Sequence, residues 1–305
     1  MNLPQSVRLT EVGPRDGLQN ELRNLATADK VRLIRMLASA GINEMEVTSF
    51  VSPKAVPNLA DAEEVMEEIR DLDIRRIALV VNDRGYERAL AAGANALTFV
   101  LSATEGHSWA NVNCSRQESI DMLDRMAERA GQDGVEVRLA VSVAFGCPFE
   151  GDPGQDAILQ LVETMARKGF VRIGLCDTMG VANPRQVYDL TRSVLDRFAG
   201  VEFELHLHDT YGRGLANILA GLQAGVSRFD ASVGGLGGCP FAPGATGNVS
   251  TEDVASMFGG MGIQTGINIA ELLEASDFVA AKLDRRLTSN LWQVKQSRCS
   301  ALPRT

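Results

Sequence analysis

Two of the three histidines in this 305-residue chain, His206 and His208, lie two residues apart in a strand-like run, 203–209. Residues i and i+2 of a strand project from one face, so both imidazoles point the same way. Phe203, Leu205 and Leu207 make the alternate, apolar face and leave Glu204, His206 and His208 on the other. Paired imidazoles suit a divalent cation, although strand histidines also serve as surface or hydrogen-bonded core residues. Asp209-Thr210, Gly212 and Gly214 end the run at once. A glycine-dense segment from Gly234 to Gly247 follows one element later and closes on Asn248.

The elements that must position these groups alternate along the chain. Strands are expected near 8–12, 44–48, 76–81, 97–101, 137–143, 172–176, 202–208 and 228–231, where β-rich runs stand between turn signals. Helical patterns fill 27–39, 60–70, 115–130, 156–168, 184–198 and 214–224, and Ala40-Gly41, Ala92-Gly93, Lys168-Gly169 and Ala224-Gly225 stand where C-caps belong. Eight strand-then-helix units predict an α/β fold of the closed (β/α)8 TIM-barrel type. An open doubly wound sheet would carry a dinucleotide fingerprint after its first strand, but the turn there reads Gly13-Pro14-Arg15-Asp16-Gly17. The later glycine-rich stretch misses it too, with Pro240 at the third glycine's position, and neither a Walker A loop nor a nucleophile elbow occurs. Helical patterns at 252–258 and 269–283 are expected to flank the barrel. One catalytic domain over 1–305, with 252–305 as C-terminal flanking helices, is the expected organisation.

Composition narrows the function. A 45% hydrophobic chain of this length can bury a large core, and a net charge of −9 without a basic face argues against a general nucleic-acid binder. No basic-then-apolar leader opens the chain, and apolar runs such as Ile77 to Val81 are too short to span a bilayer. Cys114, Cys147, Cys176, Cys239 and Cys299 are scattered without a CxxC, which fits reduced thiols in a cytoplasmic protein. Cys147 and Cys176 are expected as small core residues.

In such a barrel, functional side chains collect at the C-terminal strand ends. Arg15 and Asp16 follow the first strand, Glu46 lies in the second, Asp177 ends the sixth, and Cys239 and Asn248 follow the eighth. Closure sets strand eight beside strand one, bringing Asp16 and Asn248 to the histidine pair. One carboxylate, one amide oxygen and two imidazoles leave two open positions on an octahedral Mg²⁺ or Mn²⁺. A structural zinc site would be closed and tetrahedral, with Cys239 as a soft ligand under that alternative. The thiol instead rides on Gly234-Gly235-Leu236-Gly237-Gly238, a loop whose glycines allow it to arrive, react and leave.

Four segments carry a family likeness: 12–21 (VGPRDGLQNE), 48–54 (TSFVSPK), 206–212 (HLHDTYG) and 235–240 (GLGGCP), extended by 244–253 (GATGNVSTED). Through them nearly the whole chain resembles the 3-hydroxy-3-methylglutaryl-CoA lyase family of metal-dependent barrels. The cysteine loop is specific to that family, whereas the first- and seventh-strand motifs are shared with related Claisen-type synthases and aldolases. The resemblance implies divalent-metal cleavage of a tertiary 3-hydroxyacyl-CoA; 3-hydroxy-3-methylglutaryl-CoA would give acetyl-CoA and acetoacetate, as in leucine degradation. It implies Asp16, His206, His208 and Asn248 as metal ligands, and a homodimer. The cation would acidify the tertiary hydroxyl, a base would take its proton, and collapse to the ketone would expel a thioester enolate. Arg15 would stabilise the enolate oxygen, a role worth roughly 3–4 kcal/mol for oxyanion donors, and Cys239 would protonate the enolate carbon. Asp16 or His206 is the base, with Asp177 and Glu46 orienting their neighbours or forming a buried network that holds Arg15.

Three departures bear on substrate. Ala55 follows Lys54 where the family often has tryptophan, Cys176 stands where it often has glycine, and Leu22-Arg23 follows Glu21 where lysine is common. A lyase for another 3-substituted acyl-CoA, a synthase condensing acetyl-CoA with a 2-oxoacid, and a non-catalytic metal-binding barrel are the competing functions. A condensing enzyme needs no thiol acid, and little chain remains after the barrel for a regulatory domain. His107 is expected on an exposed loop after strand four, with a place near the CoA as the alternative.

Overall fold

All eight expected strand segments form in the computed structural model, which describes residues 3–238 and 247–301. They are β1 (Arg8–Glu11), β2 (Glu44–Ser49), β3 (Arg75–Val80), β4 (Ala96–Ser102), β5 (Glu136–Ser142), β6 (Arg172–Asp177), β7 (Glu202–Leu207) and β8 (Arg228–Ala231). They pair in parallel and in chain order, and β8 closes on β1 through Arg8↔Arg228 to Glu11↔Ala231. Closure removes both edges of this sheet, so none of its eight strands is left for another chain to extend.

The connecting helices are α1 (Thr27–Ser39), α2 (Ala62–Glu68), α3 (Asp83–Ala91), α4 (Glu105–Val112), α5 (Arg116–Asp133), α6 (Gln155–Arg167), α7 (Pro184–Arg197) and α8 (Gly214–Ala224). Local chemistry sets their ends. Ser115 and Glu118 form a capping box at α5, and Asn183 and Gln186 form another at α7, where Pro184 takes the first helical position. Gly225 ends α8 at φ 116°, a conformation that penalises any Cβ. Leu33, Ile34 and Leu37 of α1 join Met45 and Val47 of β2 in the shell between helices and sheet. Burying each such aliphatic side chain stabilises the fold by about 1.5–3 kcal/mol.

Inside the barrel the chemistry changes. TIM-barrel interiors are usually layered with branched aliphatic residues. Here Glu44 and Glu46 of β2, Arg138 of β5, Arg172 of β6, Glu204 of β7 and Arg228 and Asp230 of β8 are all buried and joined in ion pairs. Arg172 spans Glu44 and Glu204 at one level, and Arg138 spans Glu46, Glu204 and Asp230 at the next. Buried pairs contribute little net stability, but removing one partner from them costs about 3–5 kcal/mol. The interior is thus a rigid polar column leading toward the strand ends.

Beyond the barrel lie α9 (Thr251–Gly260), α10 (Ile269–Leu283) and α11 (Asn290–Ala301). The first two extend or match the expected helical patterns, and α11 falls within the expected flanking region 252–305, where no separate pattern is assigned to it. α10 packs on α1 and α9, and α11 packs on α9. No helix among the described residues is long and apolar enough to cross a membrane.

Candidate active site

β7 delivers His206 from within the strand and His208 just past its end. Beside it, Asp209 N donates to Gly247 O (2.9 Å) and Val249 N to Leu207 O (3.2 Å), which sets Asn248 opposite His208. From the other side, β1 runs into a tight turn, Gly13–Gly17, in which the Asp16 and Gly17 amides both donate to Val12 O. That turn points Arg15 and Asp16 at the same spot. Gly237 closes the floor at φ +117°, where a Cβ would lie 2.7 Å from Asn248 Nδ2.

His206 Nε2 and His208 Nε2 stand 3.1 Å apart, and Asp16 Oδ2 is 3.9 and 3.8 Å from them. Asn248 Nδ2 donates to Asp16 Oδ2 (2.7 Å) and Leu236 O (3.1 Å); turning this amide over would present its oxygen instead. Arg15 donates through Nη1 to Asp16 Oδ1 (2.6 Å) and through Nε to Glu46 Oε1. Asp230 Oδ2 accepts from His206 Nδ1 at 3.1 Å. A proton held on Nδ1 leaves the Nε2 lone pair free, the carboxylate–imidazole arrangement usual behind a metal ligand.

Electrostatics reinforce the geometry. Burial works against an ionised Asp16, but Arg15 and the two imidazoles outweigh it and hold the carboxyl well below its usual range. Burial likewise opposes charge on His206, yet Asp230 and Asp16 raise its pKa above the ordinary value. Burial, with repulsion from His206, pushes His208 down to about 4, so its imidazole is neutral at physiological pH. Its buried Nδ1 has no hydrogen-bond partner among the described residues. Adjacent donors about 2.1 Å from an octahedral cation stand roughly 3.0 Å apart. The facing Nε2 atoms already have that spacing, and Asp16 needs to move by less than an ångström to match it. The residues present therefore fit a divalent cation taking nitrogen and oxygen donors.

Of the residues singled out from the sequence, Asp16, His206, His208, Asn248, Arg15 and Glu46 converge on one place. Cys239 lies outside the described residues. Asp177 is less directly placed: its two oxygens accept the Val181 and Ala182 amides (3.0 Å each), so it shapes the β6–α7 loop. Burial lifts its pKa to about 6 despite those donors and the nearby His206. Cys147 and Cys176 are buried as expected, and Cys176 stands in register with His206 in the barrel wall. His107 corrects the expectation of an exposed loop. It lies on α4 with 2% exposure, Nδ1 2.8 Å from Ser102 Oγ, because α4 folds back onto the end of β4.

Sequence reasoning missed Asp230, Arg138 and Glu11. Each is an ionisable residue within a strand of a parallel barrel, whose two faces are both buried, and that context was the available signal. Glu11, which burial pushes up to about 8, accepts from Gly13 N (2.7 Å), Val233 N (2.8 Å) and Thr251 Oγ1 (2.7 Å). It ties the Arg15-Asp16 turn to the root of the glycine-rich loop. Glu252 grips the same root, accepting the Gly234 amide at 2.8 and 2.9 Å.

Comparison with known proteins agrees with this geometry. The HMGL-like family model matches residues 6–279. The mitochondrial hydroxymethylglutaryl-CoA lyase of Rattus norvegicus is 44% identical over 292 residues, covering 95% of this chain and 90% of its own. A crystal structure of the Bacillus subtilis HMG-CoA lyase superposes with a TM-score of 0.94 at 41% identity, covering 97% of this chain and 100% of that one. The Acinetobacter baumannii HMG-CoA lyase, solved in complex with coenzyme A and 3-methylmalate, gives 0.90 at 40% identity over 99% of this chain and 98% of its own. With a matching barrel and a family model spanning most of its length, the chain belongs to the HMGL-like family.

Proposed function

We propose that this protein cleaves 3-hydroxy-3-methylglutaryl-CoA to acetyl-CoA and acetoacetate, with a divalent cation held by Asp16, His206, His208 and Asn248. The single observation that carries the proposal is the convergence of Asp16, His206 and His208, the one group of three or more His, Cys, Asp or Glu among the described residues that brings its ligand atoms within 4.8 Å of one another, with Arg15 bonded to its carboxylate. All donors are nitrogen or oxygen, which suits Mg²⁺ or Mn²⁺. When bound, such a cation would supply the Lewis acidity that makes the proton of a tertiary hydroxyl removable near neutral pH, and it would orient a chelating hydroxy acid.

The chain's own groups do the rest. Arg15, fixed by Glu46 and Asp16, presents its remaining donors to the oxygen on which enolate charge develops. The proton acceptor assigned from the sequence is Asp16 or His206; with its Nδ1 proton on Asp230 and its Nε2 given to the cation, His206 keeps no free lone pair, which favours a carboxylate oxygen of Asp16. Asp177 shapes the loop beside them. Cys239 is assigned as the acid that returns a proton to the enolate carbon, as the family's glycine-cysteine loop implies. The 3-methylmalate in the Acinetobacter complex is itself a hydroxy acid able to chelate, which supports this substrate class. The chain acts as one catalytic unit with the helices after Thr251 flanking it, as a cytoplasmic homodimer whose small-molecule partner is the acyl-CoA.

A second reading, cleavage of another 3-hydroxy-3-substituted acyl-CoA, is favoured by Cys176, which stands in register with His206. A panel of 3-hydroxyacyl-CoA esters with Mg²⁺ or Mn²⁺, with products identified by mass spectrometry, decides. Acetyl-CoA and acetoacetate from the methyl-branched ester are expected. Cleavage of none of the panel, or condensation in the reverse sense only, contradicts the proposal.

A further inference from the structure

Directly beneath the site, Arg138 of β5 is 3% exposed and every one of its guanidinium donors is used. Nε donates to Thr98 Oγ1 (2.8 Å), Nη1 to Asp230 Oδ1 (2.9 Å) and Glu204 Oε1 (3.1 Å), and Nη2 to Glu46 Oε2 and Asp230 Oδ2 (3.3 Å). What its partners do with their other contacts is informative. Glu46 gives Oε1 to Arg15, and Asp230 gives Oδ2 to His206 Nδ1. Glu204 turns the opposite way and binds Arg172 at 3.0 and 2.7 Å. Thr98 Oγ1 also donates to Glu46 Oε2 at 3.0 Å, closing a triangle with Arg138. One planar fork thus fixes both the carboxylate that orients the cationic donor and the carboxylate that orients an imidazole.

We propose that Arg138 is a positioning residue shared by the two halves of the site, holding Arg15 through Glu46 and His206 through Asp230 in one register. The proposal rests on the roles given above to Arg15 and His206. An ion pair kept only for the fold would not require both partners to bond site residues. Only a guanidinium meets these acceptors from a single planar group; a lysine keeps the charge but concentrates three donors at one nitrogen.

The test is Arg138→Lys, examined by thermal melting, by Mn²⁺ affinity of the substrate-free protein from electron paramagnetic resonance, and by kcat and KM at saturating Mn²⁺. A cooperatively folded variant should bind Mn²⁺ at least tenfold more weakly. Its kcat should fall at least tenfold while KM changes less than threefold. A variant that melts earlier but keeps wild-type Mn²⁺ affinity and kcat overturns the proposal and leaves Arg138 a fold residue. Thr98→Val covers the case in which the lysine variant does not fold, because it deletes one bond to Arg138 and one to Glu46 without stranding a charge. A threefold or larger loss of kcat is expected there, and unchanged kcat counts against the proposal equally. The Mn²⁺ measurement needs no substrate. A wild-type protein that binds Mn²⁺ and cleaves no acyl-CoA would refute the proposed function while leaving the effect of Arg138 on the ion to be read.

Discussion

Replacing Asp230 by asparagine keeps the shape of the side chain but removes a buried charge paired with Arg138 and relocates one proton on His206. In the neutral His206 ring Nδ1–H donates to Asp230 Oδ2 at 3.1 Å and the lone pair sits on Nε2, 3.1 Å from His208 Nε2. Burial disfavours the Asp230 charge, but Arg138 and His206 hold the carboxyl far below its usual range, so it stays an acceptor at any working pH. An asparagine that keeps its oxygen on Arg138 must turn its amide nitrogen toward His206. Nδ1 then accepts, the proton moves to Nε2, and the lone pair needed by a cation is capped. The opposite amide orientation sets two donors, Asn NH₂ and guanidinium, against each other. Groups of this kind behind a metal ligand are worth tenfold to a hundredfold in affinity, or about 1.4–2.8 kcal/mol at 1.4 kcal/mol per decade. Stability should suffer by about 1–3 kcal/mol from the lost charged hydrogen bond, because Arg138 keeps Glu46 and Glu204. Mn²⁺ titration followed by paramagnetic resonance, with a thermal melt of the same sample, reads both quantities. A folded Asp230→Asn protein whose Mn²⁺ affinity lies within twofold of wild type would refute the tautomer reasoning.

Other outcomes follow from the same geometry. Because His208 is already neutral above about pH 4 whereas His206 holds a proton above its ordinary 6.5, binding a cation between those limits displaces one proton. Affinity should therefore fall about tenfold per pH unit as pH drops through that range; a hundredfold per unit at pH 6 would contradict the separation of the two imidazoles. Arg15→Gln should lower kcat more than it raises KM, since its contact strengthens as enolate charge develops, and an unchanged kcat removes Arg15 from the mechanism. Cys239→Ala should leave Mn²⁺ binding intact and cut turnover about a hundredfold or more; parallel loss of ion and activity would point to a thiolate ligand instead.

The barrel was legible because its signals repeat locally: β-rich runs, capped helices, and glycines such as Gly225 at a left-handed position. The histidine pair was legible because two-residue spacing in a strand fixes a shared face. Asp16 and Asn248 needed only barrel closure to be brought to it. Asp230 and Arg138 were not legible in that way. A single charged residue in a short strand reads equally well as a rim residue, and only the register His206↔Asp230 shows where it lies. His107 sits among Glu105, Gly106 and Ser108, a polar stretch that hides the return of α4 onto the strand end. α11 has weak apolar periodicity and is started instead by Asp253, whose carboxylate accepts the Asn290 and Leu291 amides at 2.8 Å each. That is a tertiary contact that local sequence does not display.

The most direct test is diffraction at the manganese absorption edge from crystals grown with Mn²⁺ and a chelating 3-hydroxy acid. A single anomalous peak should lie between Asp16, His206, His208 and Asn248, with hydroxyl and carboxylate oxygens of the acid completing its shell. A peak elsewhere in the protein, or an ion sealed by four protein ligands including the Cys239 sulfur, would contradict it.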